Sequence, residues 1–274
     1  MKNLYVISGV TGMTGNELCR QLLSQGHTVL GFDNFLASSL DSVKDVIDNP
    51  HFIFKEYDLN NAAQMADIEQ YVMAHKAEYD DVLYVNCAAV VHTEHFYEVE
   101  HTFQTNVVSM KTFLEQAIRC GASTYINCST SEVYSMQSWN ANGGVSEDDY
   151  LLIAHAEHSQ RTSYAVGKLL TEFFMKDAVD KGKIKGCSIR FANVYSNHER
   201  FAKHIIPHIF NELLTKDEIV LLENSKTNRR TFLHNIDSCR AVMELMATPS
   251  ALDGTVYNVA TDEEVTIIEL ANMI

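Results

Sequence analysis

Basic residues are scarce in this chain of 274, with 21 Lys and Arg against 36 Asp and Glu and a formal charge of −15. A general nucleic-acid or anionic-membrane surface needs a basic face, so neither partner class is expected. An anionic ligand must instead be met by local cations and helix N-termini. No apolar run approaches the ~20 residues of a membrane span, and Met1-Lys2-Asn3 leads straight into a strand. We therefore expect no signal peptide and a cytoplasmic protein. Only three prolines occur, Pro50, Pro207 and Pro249, and no proline-rich hinge, low-complexity linker or internal repeat interrupts the chain. The six cysteines are scattered, without Cys-x-x-Cys, and the histidines do not cluster. That pattern speaks against disulfide and zinc frameworks, so no metal is expected and free thiols in a reducing cytosol are the better reading. What remains is ordinary for a soluble globular protein: 46% hydrophobic and 21% charged residues, and enough length for one large or two closely joined domains.

The first motif opens the chain. Leu4-Tyr5-Val6-Ile7-Ser8 is a short β-rich run, followed at once by Gly9-Val10-Thr11-Gly12-Met13-Thr14-Gly15. From Asn16 the spacing of Leu18, Leu22 and Leu23 is helical. Strand, glycine turn and helix is the context a phosphate cradle requires, because the glycines allow close backbone approach and the helix N-terminus carries partial positive charge. A second strand, from His27 to Phe32, ends in Asp33-Asn34, 18 residues after Gly15. A carboxylate there can accept from ribose hydroxyls and repels a 2′-phosphate, so NAD is favoured over NADP. As an ordinary turn residue Asp33 would need no ligand.

The second motif is Tyr164 and Lys168, four apart in a stretch from Ser163 to Met175 that reads as helix. The spacing puts phenol and ammonium on one face. A phenol acting as base near neutral pH needs its pKa lowered by about 3 units, roughly 4 kcal/mol, and a nearby lysine cation supplies part of that.

Further ordered segments carry a resemblance. Phe54 to Leu59 ends in Asp58-Leu59. Val82-Leu83-Tyr84-Val85-Asn86-Cys87 runs into Ala88-Ala89, Asn106 lies in Thr105-Asn106-Val107-Val108, and Tyr125 to Tyr134 contains Thr130-Ser131-Glu132. Ile189 to Tyr195, Arg230 to Asp237 and Tyr257 to Ala260 follow. In this order, over almost the whole chain, they resemble the extended short-chain dehydrogenase/reductase superfamily, in particular its NAD-dependent nucleotide-sugar epimerase, dehydratase and decarboxylase branch.

The resemblance implies an α/β fold, a Rossmann-like doubly wound parallel sheet with a smaller, interleaved C-terminal substrate-binding domain. Residues 1–195 would form the NAD domain, with 235–260 returning to it, and 196–274 mostly the substrate domain, shortened at its end relative to the family. It implies NAD contacts from Gly9, Gly12, Met13, Thr14, Gly15, Asp33, Asn34, Asp58, Leu59, Ala88, Ala89 and Asn106, together with Tyr164 and Lys168. Thr130 would bind the sugar C4 oxygen, Tyr164 act as base at the C4 hydroxyl, and Lys168 hold the nicotinamide ribose. Asn193 and Arg230 match positions that contact the substrate diphosphate, although Arg230 beside Arg229 also reads as a surface cation. Cys87 and Cys128 fall at strand ends by the cofactor, where burial as small apolar side chains competes with reactivity.

Glu132 follows Thr130 and Ser131 as in the dehydratases and glucuronate decarboxylases, where a carboxylate removes the C5 proton acidified by the C4 ketone. A capping or solvated carboxylate is the plainer reading. The resemblance also implies a catalytic place for Ser131, which stands where one dehydratase group carries an aspartic acid, and Asp33 fits poorly with the NADP preference of the GDP-mannose dehydratase group. The expected activity is NAD-dependent dehydration or decarboxylation through a 4-keto sugar. A 4-epimerase or 4-keto reductase on the same residues is the first alternative, and a non-catalytic NAD-binding sensor the second. Two departures, Ser196-Asn197-His198 in place of Gly-Pro and the glycine-free 223–228, fall near the substrate pocket. The family also implies a homodimer formed by the helix after Asn106 and the helix bearing Tyr164. Gln137 to Gln160 reads as a lid or a solvated loop, Ala202 to Leu214 as a helix, Ile219 to Leu222 as a short strand and Ile267 to Ile274 as a helix. No role is assigned to His92, His95 or His101.

Overall fold

The structure, a computed structural model, describes residues 2–134, 144–155, 161–199, 201–216 and 218–274. In chain order the elements are β1 (Leu4–Ser8), α1 (Met13–Ser24), β2 (Thr28–Asp33), β3 (Phe52–Glu56), α2 (Ala62–His75), β4 (Val82–Asn86), α3 (Val99–Phe103), α4 (Met110–Cys120) and β5 (Thr124–Thr130). Then come α5 (Arg161–Asp180), β6 (Lys185–Phe191), β7 (Asn193–Tyr195), α6 (Ile205–Lys216), β8 (Arg229–His234), α7 (Asn235–Ala247), β9 (Asp253–Val259), β10 (Glu264–Thr266) and α8 (Ile267–Met273).

Seven strands form one sheet in the order β3-β2-β1-β4-β5-β6-β9, and every pairing in it is parallel. The chain runs outward from β1 to β3, then returns to the other side of β1 with β4. That reversal leaves a crevice beyond the carboxyl ends of β1 and β4, where ligands bind in such sheets. Covered on both faces, the strands read as unbroken apolar runs. All five residues of β1 are buried, with Leu4 and Val6 in one core and Tyr5 and Ile7 in the other. The first core takes Ile68 and Val72 of α2, Phe113 of α4 and Met175 of α5. The second takes Leu18 and Leu22 of α1 and Val242 of α7. Fully burying one such side chain stabilises by roughly 1.5–3 kcal/mol.

The later strands divide. β9 returns to the large sheet, whereas β7 and β10 flank β8 in a separate three-stranded sheet. The helix expected over 202–214 is α6, and the terminal helix is α8, started by a capping box between Thr266 and Glu269. The strand expected at Ile219 to Leu222 is absent. Val220 and Leu222 are exposed, at 84% and 74%, and no neighbouring strand pairs with the segment. Apolar composition without a partner strand does not make a ladder. Of the loop expected from Gln137 to Gln160, residues 137–143 and 156–160 lie outside the described residues. No helix among the described residues is long and apolar enough to cross a membrane.

Candidate active site

A cleft of roughly 620 Å³ opens at the carboxyl ends of the central strands. Its floor begins where β1 turns into α1. Gly9 has φ +69, and a Cβ there would stand 2.7 Å from the Ala88 nitrogen, so only glycine permits this approach to the β4 loop. Gly15 lies inside α1 rather than before it, because the helix begins at Met13. A Cβ on Gly15 would meet the Gly9 carbonyl oxygen at 2.2 Å. Gly12 caps α1 without a side-chain hydrogen bond, and the first turn holds no acidic residue. The N–H groups of that turn are left open toward the cleft, a seat for an anion.

Asp33, at the end of β2, is 9% exposed. Its carboxylate accepts from Thr11 N at 3.1 Å, Phe35 N at 2.9 Å and Ser38 Oγ at 3.3 Å. A carboxylate has about four acceptor sites, so the loop itself uses three of them and one is left for a ribose hydroxyl. Asn34, Asp58 and Leu59 line the same end of the cleft. Ala88 and Ala89 line its middle, where the Ala88 N–H donates to Ser8 Oγ at 3.3 Å. Asn106 does not line the cleft. It sits in a π-helical turn, Gln104–Ser109, and grips Val90 from both sides: Val90 N donates to its Oδ1 at 2.7 Å and its Nδ2 donates to Val90 O at 3.0 Å. Its side chain fixes the β4 loop.

Tyr164 and Lys168 lie on one buried face of α5, 8% and 2% exposed, and both line the cleft. The Tyr164 ring stacks on Phe96 with centroids 4.8 Å apart. The Tyr164 phenol is held above its ordinary value. Burial dominates and pushes it up, the Thr130 hydroxyl pulls it down through a hydrogen bond, and the negative charge of Glu132 raises it further. Burial likewise pulls the Lys168 ammonium down, opposed by Cys128, Cys87 and Glu172. Among the described residues, none accepts a hydrogen bond from Lys168 Nζ.

Thr130 and Glu132 line the cleft beside Tyr164, and the Glu132 N–H donates to Thr130 Oγ1 at 3.2 Å. Ser131 is turned out of the cleft lining by the 3-10 turn Ser131–Tyr134. Behind this loop stands a buried ion pair. Arg190 on β6 grips Glu172 on α5 bidentately, Nε to Oε1 at 2.9 Å and Nη2 to Oε2 at 2.6 Å, with both side chains 5% exposed. Ser129 donates to the same carboxylate at 2.5 Å, and Arg190 donates to the Tyr134 hydroxyl, which donates to Asn258 Oδ1 at 3.0 Å. One network thus ties the helix of Tyr164 to both ends of the Thr130 loop and to β9.

Asn193 and Arg230 line the far end of the cleft. Their polar tips are already engaged by backbone, Asn193 Nδ2 on Thr231 O at 3.1 Å and Arg230 Nη1 on Arg229 O at 2.8 Å. The sequence reading missed the wall opposite: His92, Phe201, Lys203 and His204. The His92 ring stacks on Phe201 at 3.9 Å, and His204 Nδ1 lies 3.2 Å from Glu199 Oε2. Lys203, one of few cations in an acidic chain, was the available signal.

An uncapped helix N-terminus, glycines that no Cβ could replace and a buried ammonium with no acceptor among the described residues fit a dinucleotide, with phosphate at α1 and ribose hydroxyls at Lys168. The fold and cleft therefore define a Rossmann-type dinucleotide enzyme. The model of the NAD dependent epimerase/dehydratase family matches residues 5–260, and the chain belongs to that family. It is 25% identical over 274 residues to the UDP-N-acetyl-alpha-D-glucosaminuronate decarboxylase of Bacillus cytotoxicus, covering 99% of this chain and 79% of that protein. With the dTDP-glucose 4,6-dehydratase of Streptomyces griseus it shares 26% identity over 277 residues, 98% of this chain and 76% of that one. The crystal structure of a dTDP-glucose 4,6-dehydratase from Bacillus anthracis in complex with NAD has the same fold, with a TM-score of 0.80 at 21% identity over 99% of this chain and 79% of that one.

Proposed function

We propose that this chain is an NAD-dependent nucleotide-sugar dehydratase or decarboxylase that works through a 4-keto sugar. The observation that carries the reading is the convergence of Thr130, Glu132 and Tyr164 on one wall of the cleft, close enough for the Glu132 charge to act on the phenol. NAD supplies the hydride acceptor and, in its oxidised ring, a positive charge beside the phenol. Thr130 orients the C4 oxygen, and Tyr164 takes the C4 hydroxyl proton. Lys168 holds the nicotinamide ribose, while Asp33 and the α1 N-terminus fix the adenosine and pyrophosphate. Once C4 is a ketone, Glu132 removes the C5 proton, the C6 hydroxyl takes up a proton and leaves as water, and the double bond so formed accepts the stored hydride at C6 and a solvent proton at C5. With a carboxylate at C6, the same ketone loses CO₂ without that base. The late strands β7, β8 and β10 and helix α6 present Asn193, Arg230 and Lys203 to the sugar diphosphate as a substrate lobe.

Incubation with UDP-, GDP-, dTDP- and CDP-sugars in deuterated water tests the assignment by mass spectrometry. Dehydration should place deuterium at C5, and Glu132→Gln should slow it about 100- to 10,000-fold, the usual range for a lost general base. Full turnover in Glu132→Gln would remove the base assignment. Inversion at C4 with no label at C5 would instead favour the epimerase reading.

The homodimer is part of the same proposal, with the exposed apolar residues of α3 beside α5 in place of the helix after Asn106, α4, which exposes no large apolar side chain. Val166, Leu170 and Phe173 form a stripe at helical spacing on the outer face of α5, 41%, 37% and 64% exposed, beside Val99 and Phe103 of α3. A second copy of the chain covers that stripe. Phe173→Glu is expected to halve the mass seen by sedimentation while leaving the fold intact, and a wild-type monomer would contradict the interface. The reducing cytosol remains the proposed setting, supported by six free cysteines.

A further inference from the structure

Two of the six free cysteines differ from the rest. The register of β4 and β5 pairs Asn86 with Asn127, so Cys87, just past the end of β4, and Cys128, within β5, come next and lie side by side. Their sulfurs stand 3.7 Å apart, and both residues line the cleft with Lys168. The other four line no part of it. Burial pushes each of those thiols up, Cys19 and Cys187 to about 12. Cys128 moves the other way, because the hydrogen bond with Cys87 and then the Lys168 ammonium favour its thiolate. Cys87 is pushed up by the same hydrogen bond and by burial. A thiol eased toward its thiolate against the opposing effect of burial, with a second thiol 3.7 Å away, is the arrangement of an attacking and a resolving sulfur.

We propose that Cys87 and Cys128 form a reversible oxidation site, at which a peroxide converts the pair to a disulfide in the floor of the cofactor cleft and silences the enzyme. The Cys128 thiolate attacks one peroxide oxygen, the O–O bond breaks, and the departing hydroxide leaves as water, giving a sulfenic acid. Cys87 then attacks the Cys128 sulfur, the S–O bond breaks, and the second water carries off the Cys87 proton. Two thiols lose two protons and two electrons, and one hydrogen peroxide becomes two waters. Thiol exchange with a reductant restores the pair. Closing the sulfurs to the ~2.05 Å of a disulfide draws together two backbone segments whose next residues, Ala88 and Ser129-Thr130, line the cleft. It also removes the thiolate that faces Lys168. The silencing rests on the cofactor placement above; the disulfide itself does not.

Purified protein is treated with hydrogen peroxide without and with excess NAD, alkylated and digested with trypsin. The expected result is a loss of about 2 Da and a link between fragments 77–111 and 120–161 that fragmentation assigns to Cys87 and Cys128 rather than Cys120. Activity should fall with formation of the link and return with dithiothreitol. Cys128→Ser, compared with its own untreated rate, should resist the same treatment. Six alkylatable thiols after oxidation, a link through another pair, or inhibition of Cys128→Ser as fast as wild type would each overturn the proposal. A disulfide with an unchanged rate would overturn the silencing. Formation of the link at an undiminished rate under NAD would support the oxidation site while removing the cofactor from the place assigned to it.

Discussion

Tyr164→Phe should lower kcat by about 100- to 10,000-fold while leaving NAD affinity and melting temperature close to wild type, because it deletes one hydroxyl that acts only on the reacting proton. The pH profile separates this from a packing effect. Burial and the Glu132 charge hold the phenol above its ordinary value, so in the cofactor-free protein it is protonated at neutral pH. A base must be ionised, and its ionised fraction rises about tenfold per pH unit below its pKa. The wild-type rate should therefore climb as pH rises, until the bound, positively charged nicotinamide brings the phenol through its titration. The residual rate of Tyr164→Phe should show no such limb. A variant that kept both its rate and its alkaline rise would contradict the assignment.

Breaking the Glu172–Arg190 pair should have the largest effect on stability. Glu172→Ala leaves a guanidinium buried and its bidentate partner gone, a change that costs about 3–5 kcal/mol. For a chain of this size that corresponds to a fall in melting temperature on the order of 10 °C, read by calorimetry. Because Ser129 donates to the same carboxylate and Tyr134 accepts from the same arginine, the Thr130 loop should loosen as well. Glu172→Gln keeps the shape and part of the hydrogen bonding, so it should recover more of the rate than of the stability. Equal melting temperatures for Glu172→Ala and wild type would show that the pair holds nothing.

The two sites of chemistry were unequally legible in the sequence. The strand, glycine turn and helix at Leu4 to Leu23 could be read because each piece is local, and the spacing of Tyr164 and Lys168 fixed a shared helical face without any tertiary information. The doubly wound parallel sheet was implied by the resemblance that the ordered motifs carry. What needed the pairing of strands was hidden. Cys87 and Cys128 are neighbours only because β4 and β5 lie in register, and Glu172 meets Arg190 only because α5 packs beside β6. Asn106 was legible as a residue but not as a clamp on Val90, since its role depends on where the β4 loop runs. Ser131 was drawn toward the site by its match to the aspartic acid position of one dehydratase group, yet Thr130 and Glu132 on either side of it line the cleft and it does not. Ile219 to Leu222 had the composition of a strand and lacked only a partner, which no single segment can disclose. The wall of His92, Phe201, Lys203 and His204 combines two loops distant in sequence, so neither segment announces it.

Transient reduction of the cofactor lies at the centre of the account, and rapid-mixing absorbance spectroscopy observes it directly. On mixing the NAD-loaded protein with its nucleotide sugar, the near-ultraviolet band of reduced nicotinamide should rise and decay within one turnover, and the rise should be lost in Tyr164→Phe. Product formed with no such band at any time, from a protein shown to hold NAD, would contradict oxidation at C4 as the first step.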